Sequence, residues 1–128
     1  MLTEKDYCDY ETCVALRELG YKGTSRFFYA TKESTLRRYS HNQILTTRIA
    51  DSVGHTLAIS LYVAQKWLRE EHDICVHICR PHMTNGSYVW SNTVFLHGCE
   101  VSSRGFFLSY EEALSEGIKE AVKILKDM

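Results

Sequence analysis

Several features that would set this chain apart from ordinary globular proteins are missing. Proline occurs once, as Pro81, and no apolar run approaches the roughly 20 residues that a membrane-spanning helix needs. Residues 1–6 lack a basic stretch followed by an apolar one, so we expect no secretion signal and a cytoplasmic protein. Internal repeats, low-complexity tracts and linkers are also absent. These absences argue against a membrane protein and against a repeat architecture.

The composition is that of a soluble globular protein. Hydrophobic residues make up 45% of the chain and charged residues 24%. A length of 128 residues is enough for one core that hides about two thirds of the surface of the unfolded chain. We therefore predict a single α+β domain over residues 1–128. The five cysteines are expected to be free thiols in a reducing compartment, because an odd number cannot pair completely within one chain.

The clearest local pattern lies in the last twenty residues, Ser109 to Met128. Ser109 precedes Glu112 by three residues, which is the spacing of a capping box at the start of a helix. Acidic residues come first and lysines last, as the helix dipole favours. The apolar positions, which recur at three- and four-residue steps, are Leu114, Gly117, Ile118, Ala121, Val122 and Leu125. The pattern predicts one amphipathic helix with an apolar face against the core.

The first thirty residues predict a helix and a strand. Thr3 and Asp6 have the spacing of an N-terminal cap, and the helical rhythm that follows can end in a left-handed turn at Gly20. We therefore predict a helix over residues 4–19. Aromatic and β-branched residues then predict a strand over residues 26–32.

The middle of the chain carries weaker signals. Residues 44–49 predict a second, short strand, and the residues that indicate looser chain before it are Ser34, Ser40, His41 and Asn42. A second helix is predicted over residues 56–71. Its periodic apolar positions are Leu57, Leu61, Ala64 and Leu68, with Trp67 beside them.

A hairpin is predicted before the last helix. Three aliphatic residues alternate with three potential metal ligands over Ile74, Cys75, Val76, His77, Ile78 and Cys79. Asn85-Gly86 is a strong turn signal, residues 88–96 supply the returning strand, and residues 102–105 predict a further turn. The fold class is therefore α+β, in the order helix, strand, short strand, helix, hairpin, helix. We expect an antiparallel sheet covered on one face by helices.

Three segments together resemble a group of small uncharacterised proteins from prophages and mobile elements of gut bacteria. They are residues 10–21, ending in Leu19-Gly20-Tyr21; residues 64–72, containing Trp67-Leu68-Arg69-Glu70; and residues 109–113, containing Tyr110-Glu111-Glu112-Ala113. The resemblance covers about half of the chain. It implies this order of helices and strands and a mobile-element setting, and it supplies no known activity and no catalytic residues.

Cysteines and histidines around the predicted hairpin are candidate zinc ligands. They are Cys75, His77, Cys79 and His82, with His97 and Cys99 further along the chain. Zinc takes four such groups in a tetrahedron, whereas alternate residues of one strand lie roughly 6.5 to 7 Å apart. One or two of them therefore reach a single ion, unless a neighbouring strand adds ligands. We expect no metal and no other cofactor, and the alternative is a zinc-dependent enzyme that uses Cys75, His77, Cys79 and His97.

A thiol enzyme with a cysteine nucleophile and a histidine base is a further alternative, because a thiolate needs only a nearby base or cation to become reactive. The sequence marks no cysteine by a glycine-flanked elbow or a helix N-terminus, and free cysteine is commonly a small buried hydrophobe. The adjacent acids Glu70-Glu71 and Glu111-Glu112 point to different helix faces and do not form carboxylate pairs. We expect a protein that is not an enzyme.

Charge is segregated along the chain. Between Tyr21 and Ala50 there are six cations and one acid, Glu33, for a net charge of +5, and since the whole chain carries −1 the remainder carries −6. The six cations are Lys22, Arg26, Lys32, Arg37, Arg38 and Arg48, and the aromatic residues among them are Phe27, Phe28, Tyr29 and Tyr39. Aromatic rings interleaved with cations can stack bases while the cations hold phosphates. The competing interpretation places these aromatic residues in the core and pairs the cations with acidic helices.

We expect a non-enzymatic accessory protein of a phage or mobile element that acts by binding a partner. The predicted partner is nucleic acid, bound through the basic and aromatic segment 22–48, with Lys22, Arg26, Lys32, Arg37, Arg38, Tyr39 and Arg48 as the contact residues. No membrane and no small-molecule substrate is inferred. The alternative is a homodimeric interaction module in which an apolar strip of the second helix or the strand edges meets a second copy.

Overall fold

The computed structural model describes residues 3–32, 35–39, 44–80, 83–84 and 86–128. The chain divides into two compact units, Met1–Ser60 (unit 1) and Leu61–Met128 (unit 2), and each is described by itself. Helices occur together with antiparallel sheets in the described residues, so the predicted α+β class is confirmed. That residues 1–128 form a single domain stays a prediction.

Unit 1 begins with a short 3₁₀ turn, Glu4–Asp6, and continues with helix α1, Tyr10–Glu18. The predicted helix over residues 4–19 was therefore wrong in its first turns. The Asp9 side chain accepts a hydrogen bond from the Thr12 backbone N–H at 2.8 Å, which makes Asp9 the N-cap and starts α1 at the next residue. Before it, Tyr7 has extended backbone and forms a bridge with Ser60, so the chain cannot be helical there.

Unit 1 contains two small antiparallel sheets and a second helix. The elements are β1, Thr24–Ser25; β2, Phe27–Tyr29; β3, Arg37–Arg38; β4, Leu45–Thr46; α2, Thr47–Ser52; and β5, Thr56–Leu57. One sheet has the order β1-β4 and the other β3-β2-β5. The strand predicted over residues 26–32 is confirmed only over Phe27–Tyr29, in β2. The strand predicted over residues 44–49 ends early, because the Thr46 hydroxyl accepts from the Ile49 backbone N–H at 3.2 Å and begins α2.

Unit 2 is a three-stranded sheet with a helix before it and a helix after it. The elements are α3, Leu61–His72; β6, Ile74–Cys79; β7, Met83–Thr84; β8, Ser87–Tyr88; β9, Trp90–Leu96; β10, Cys99–Phe107; and α4, Tyr110–Lys126. The sheet order is β10-β9-β6, and β7 and β8 pair with each other in a small hairpin. The predicted pairing of residues 74–79 with the returning strand is confirmed, with Val76 opposite Val94. The turn signal at Asn85 and the predicted looser positions Ser34, Ser40, His41 and Asn42 lie outside the described residues.

Two sequence predictions, the start of the second helix and the turn before the last helix, were wrong. The helix predicted from Thr56 begins at Leu61, because Thr56 and Leu57 are paired with β2 instead. The turn predicted over residues 102–105 lies inside β10. The pairing of β10 with β9 shifts its register between Glu100 and Ser102 and again before Phe107, and these irregularities break the two-residue alternation by which a strand is predicted.

One face of the β10-β9-β6 sheet is covered by helices, as predicted. Ile74, Val76, Asn92 and Val94 are buried on this face, and α4 contacts both β6 and β9 while α3 contacts β6. The predicted capping box is present in part, since the Ser109 hydroxyl accepts from the Glu112 backbone N–H at 3.1 Å. The predicted apolar face of α4 is therefore the face that closes the core of unit 2.

Gly117 lets α4 approach the sheet. A side chain at this position would overlap the Val76 Cγ1 atom and would also contact Asn92. Asn92 is fully buried and donates its side-chain amide to the Ala113 carbonyl at 2.9 Å. The helix and the central strand are thus held together by a close backbone contact and a buried hydrogen bond.

Gly117→Ala is expected to destabilise the protein. Alanine is favoured over glycine in a helix by about 1 kcal/mol, but inserting a methyl group into a packed contact costs about 1–3 kcal/mol, so we expect a net loss of up to about 2 kcal/mol. Urea unfolding followed by circular dichroism measures the difference, with Ser115→Ala on the same helix as the control. A gain in stability for Gly117→Ala would show that the helix does not rest this closely on Val76.

Candidate functional site

A groove of about 880 Å³ opens in unit 1 beside helix α2. Its lining comes from the two ends of the basic and aromatic segment 22–48 and from the residues directly after it. The lining residues are Lys22, Gly23, Thr24, Thr46, Thr47, Arg48, Ile49 and Asp51. Strands β1 and β4 form its floor by pairing Thr24 with Thr46. The volume lies in the range of sites that hold small ligands or parts of larger ones.

Hydrogen bonds between Gly23 and Thr47 bring the two segments together. The Gly23 N–H donates to the Thr47 hydroxyl at 3.0 Å, and the Thr47 N–H donates to the Gly23 carbonyl at 3.1 Å. A side chain at Gly23 would overlap the ring of Tyr21, which is buried beside it. Glycine is therefore the residue that fits where the two segments meet. Lys22, next to Gly23, and Arg48, next to Thr47, both line the groove.

The groove carries a net positive charge. Lys22 and Arg48 are exposed, and no ion pair joins either of them to a carboxylate in the described part of the chain. The Asp51 carboxylate, which also lines the groove, is bound to the Arg17 guanidinium at 2.7 Å. Because Arg17 already neutralises Asp51, the charges of Lys22 and Arg48 remain available to an anion.

The other predicted contact residues do not line this groove. Lys32 lies 3.5 Å from the Glu11 carboxylate in an exposed ion pair, which is a weak interaction. Arg37 and Arg38 are exposed on β3, where they pair with Phe28 and Phe27. Arg26 is exposed between β1 and β2. The structure thus brings Lys22 and Arg48 together and leaves the remaining cations on other parts of unit 1.

The aromatic residues of the basic segment are used inside unit 1. Phe28 and Tyr29 are buried, and the Phe28 ring stacks on Tyr39 at 4.1 Å and on His55 at 4.4 Å between centroids. The Tyr39 hydroxyl lies 3.0 Å from His55 Nδ1, and Phe27 packs against Tyr7 at 5.2 Å. The faces of Phe28 and Tyr29 are therefore covered by protein. The packing therefore supports the interpretation of Phe28 and Tyr29 as core residues.

The groove also contains residues that sequence reasoning missed. No sequence motif marks Thr24, Thr46, Thr47 or Ile49. Only the pairing of β1 with β4 places these residues beside the two cations. His55, in the ring stack with Phe28, was missed for the same reason. The one available signal was Gly23, since glycine within a short strand region often marks a close approach of two backbones.

The predicted zinc and thiol residues lie on or near the other face of the sheet in unit 2. Cys75, His77 and Cys79 pair across β6 and β9 with Phe95, Thr93 and Ser91, and the His77 ring contacts Phe95 at 4.9 Å. His97 instead contacts Asp73 at 3.2 Å in the turn after β9, and Cys99 pairs with Leu96. His82 lies outside the described residues. Where the structure is described, no three histidine, cysteine or acidic side chains are grouped to hold a metal ion.

Two of the cysteines belong to the core of unit 1. The Cys13 thiol donates to the Cys8 carbonyl at 3.5 Å, and its sulfur accepts from the Ile59 N–H at 3.4 Å. A hydrogen bond with Cys13, reinforced by burial, raises the pKa of the Cys8 thiol well above its ordinary value. A thiol in this environment stays protonated and is a poor nucleophile.

Comparisons of the chain with protein-family models, curated protein sequences and solved structures gave no match. No helix in the described ranges is long and apolar enough to cross a membrane.

The five cysteines are expected to fall into three classes of reactivity. Cys79 and Cys99 are exposed and should react rapidly with a chromogenic thiol reagent, and half-buried Cys75 more slowly, whereas Cys8 and Cys13 should react only after unfolding in guanidinium chloride. A Cys79→Ser/Cys99→Ser variant is the control and should lose the rapid phase alone. Rapid reaction of Cys8 or Cys13 in the native protein would contradict the buried placement of these thiols.

Tyr29→Phe is expected to change how stability depends on alkaline pH. Burial raises the pKa of the Tyr29 phenol above its ordinary value of 10.0, so the folded protein holds this proton more tightly than the unfolded chain does. The stabilisation is complete below the unfolded pKa and is lost as the pH rises towards the folded one. Tyr29 also donates to the Cys8 carbonyl at 2.7 Å, so the variant should lose about 1 kcal/mol at neutral pH.

The measurement is urea unfolding at several pH values between about 8 and about 11. Stability of Tyr29→Phe should fall less steeply than that of the unmodified protein over this range. Parallel profiles for Tyr29→Phe and the unmodified protein would show that the Tyr29 phenol titrates normally.

Proposed function

We propose that this protein is a non-enzymatic binding protein that holds the phosphate backbone of a nucleic acid, as an accessory protein of a phage or mobile element. The observation that carries the proposal is the placement of Lys22 and Arg48 at one groove of unit 1, where Arg17 already neutralises the Asp51 carboxylate. The mobile-element setting rests on the resemblance of residues 10–21, 64–72 and 109–113 to prophage proteins.

Phosphate is the anion that this set of groups suits best. Lysine offers a compact charge and arginine a planar fork of donors, and threonine hydroxyls donate to phosphate oxygens without discriminating among bases. The lining of the groove contains one lysine, one arginine and three threonines. The Thr47 hydroxyl already donates to the Gly23 carbonyl at 3.4 Å, so Thr24 and Thr46 are the threonines that would contact phosphate. Contacts of this kind position a nucleic acid and supply most of the affinity of sequence-independent binding.

The positive charge around the groove supports the same partner. Arg26 and Arg37 are exposed in unit 1, and within the described ranges no ion pair joins either of them to a carboxylate. Exposed cations raise the local concentration of a polyanion and speed its association, and this effect weakens as salt is added. Binding should therefore be strong at low ionic strength and fall steeply as salt increases.

Charge reversal at the groove is expected to remove this binding. Fluorescence anisotropy with labelled single- and double-stranded oligonucleotides, at two or more salt concentrations, compares the unmodified protein with Lys22→Glu/Arg48→Glu. We expect about tenfold weaker binding or more for the variant, and a slope of log affinity against log salt that is smaller by about 2, since each lost phosphate contact removes about one released counterion.

The matched control reverses the same number of charges away from the groove. Arg69→Glu/Lys123→Glu changes one exposed arginine and one exposed lysine on helices α3 and α4 of unit 2. It should retain the salt slope of the unmodified protein. A third variant, Arg37→Glu/Arg38→Glu, measures whether the contact surface extends to β3. No binding by the unmodified protein at low salt, or equal losses in the groove variant and its control, would refute the proposal.

A further inference from the structure

Two residues that line the groove of unit 1 take no part in the proposed phosphate contacts. Ile49 is 47% exposed and is the one large apolar side chain among the described lining residues. Asp51 lines the same groove and carries a carboxylate. An apolar side chain offers phosphate no donor, and a carboxylate repels it. The groove therefore offers contacts to a part of its ligand other than the phosphates.

The Asp51 carboxylate is held in place by Arg17. The Arg17 Nε atom lies 2.7 Å from Asp51 Oδ1, which is the distance of a charge-assisted hydrogen bond. A carboxylate can accept about four hydrogen bonds, so Asp51 can accept from a ligand while it stays bound to Arg17. Its oxygens are thus positioned acceptors at the wall of the groove.

Helix α2 places both groups beside a cation. Arg48 and Asp51 are three residues apart and lie on one side of α2, and Ile49 follows Arg48 directly. The helix is started by the Thr46 hydroxyl, which accepts from the Ile49 backbone N–H at 3.2 Å. One ligand in the groove can therefore contact a cation, an apolar side chain and a carboxylate at the same time.

A nucleotide base has the chemistry that matches Ile49 and Asp51. Its faces are apolar enough to pack on aromatic or aliphatic side chains. Cytosine carries an exocyclic amino group, from which a carboxylate accepts a hydrogen bond, and adenine and guanine carry one as well. Uracil has a carbonyl oxygen where cytosine has this amino group, and a carboxylate repels that oxygen. The two residues therefore favour a base with an amino group.

The same contact requires an unpaired base. In a double helix both faces of a base are stacked on its neighbours, so a side chain reaches a face only when the base leaves the stack. A single strand presents its bases without this cost. A groove of about 880 Å³ has room for a nucleotide, whereas a duplex can only place its backbone along the rim.

We propose that the groove of unit 1 binds single-stranded nucleic acid and holds one unpaired, amino-bearing base. The face of the base packs on Ile49, and its amino group donates to the Asp51 carboxylate. Lys22 and Arg48 hold the adjoining phosphates. This inference rests on the proposed function and adds to it the strandedness of the ligand and the kind of base.

Two probes of equal length and charge, labelled oligo(dC) and oligo(dU), test the preference for the base. Fluorescence anisotropy at low salt measures their binding to the full chain, at a mildly alkaline pH where cytosine is unprotonated. Oligo(dC) should bind about fivefold more tightly or better, because its amino group meets an acceptor where uracil presents an oxygen.

Ile49→Ser tests the apolar contact. It should weaken binding of oligo(dC) about fivefold and leave the salt slope unchanged, because an apolar contact releases no counterions. Binding of a duplex should not change. The substitution keeps the backbone N–H that the Thr46 hydroxyl caps, so α2 should still form. Val53→Ser removes an aliphatic side chain that is 57% exposed at the end of α2 and is not among the lining residues, and it should bind like the unmodified protein.

Asp51→Asn tests the carboxylate. Loss of a negative charge should tighten binding of both probes, so the measured quantity is the ratio of the two affinities. The ratio should fall towards one, because an amide offers uracil a donor as readily as it offers cytosine an acceptor. Glu11→Gln removes the same charge from an exposed carboxylate that is not among the lining residues, and it should keep the ratio of the unmodified protein.

Several results would overturn this inference alone. They are equal binding of the two probes by the unmodified protein, an unchanged ratio in Asp51→Asn, equal losses in Ile49→Ser and Val53→Ser, and an equal loss of duplex binding in Ile49→Ser. Each leaves the proposed function standing as long as Lys22→Glu/Arg48→Glu weakens binding. Absence of binding to every oligonucleotide at low salt would refute both proposals.

Discussion

The pair of hydrogen bonds between Gly23 and Thr47 is the constraint on which the candidate site depends. Residues 22–24 and 46–48 are far apart in the chain, and these bonds hold them as neighbouring strands. Tyr21 packs over Gly23, where a side chain would leave no room. Because backbone atoms and the Thr47 hydroxyl make the contact, Lys22 and Arg48 are brought to one groove without using their own side chains. Charge that is dispersed along the sequence becomes local charge in this way.

Unit 2 depends on a different kind of contact. Gly117 and Asn92 bring α4 onto one face of the β10-β9-β6 sheet, through a close approach to Val76 and a buried hydrogen bond. Unit 1 offers the cations and hydroxyl groups from which we propose phosphate binding.

Local signals predicted the elements that depend on local contacts. The helix from Tyr110 is set by the Ser109 cap and a regular apolar stripe, and the strand Ile74–Cys79 by strict alternation. Prediction failed where tertiary contacts override such patterns. Thr56 and Leu57 continue the rhythm of the next helix but pair with β2. Residues 102–105, predicted as a turn, lie inside β10, where register shifts interrupt the alternation of a regular strand. Of the candidate site, the cations were predicted and the threonines were not.

The sequence by itself determined the fold class, the capped last helix, the two main strands of the hairpin and the concentration of cations between Lys22 and Arg48. Each of these follows from residues close together in the chain. Only the tertiary structure decided which cations share a groove and that Phe28 and Tyr29 are core residues. Those outcomes depend on pairing between distant segments, and the free energy of such pairing comes from burial and backbone hydrogen bonds that no local pattern contains.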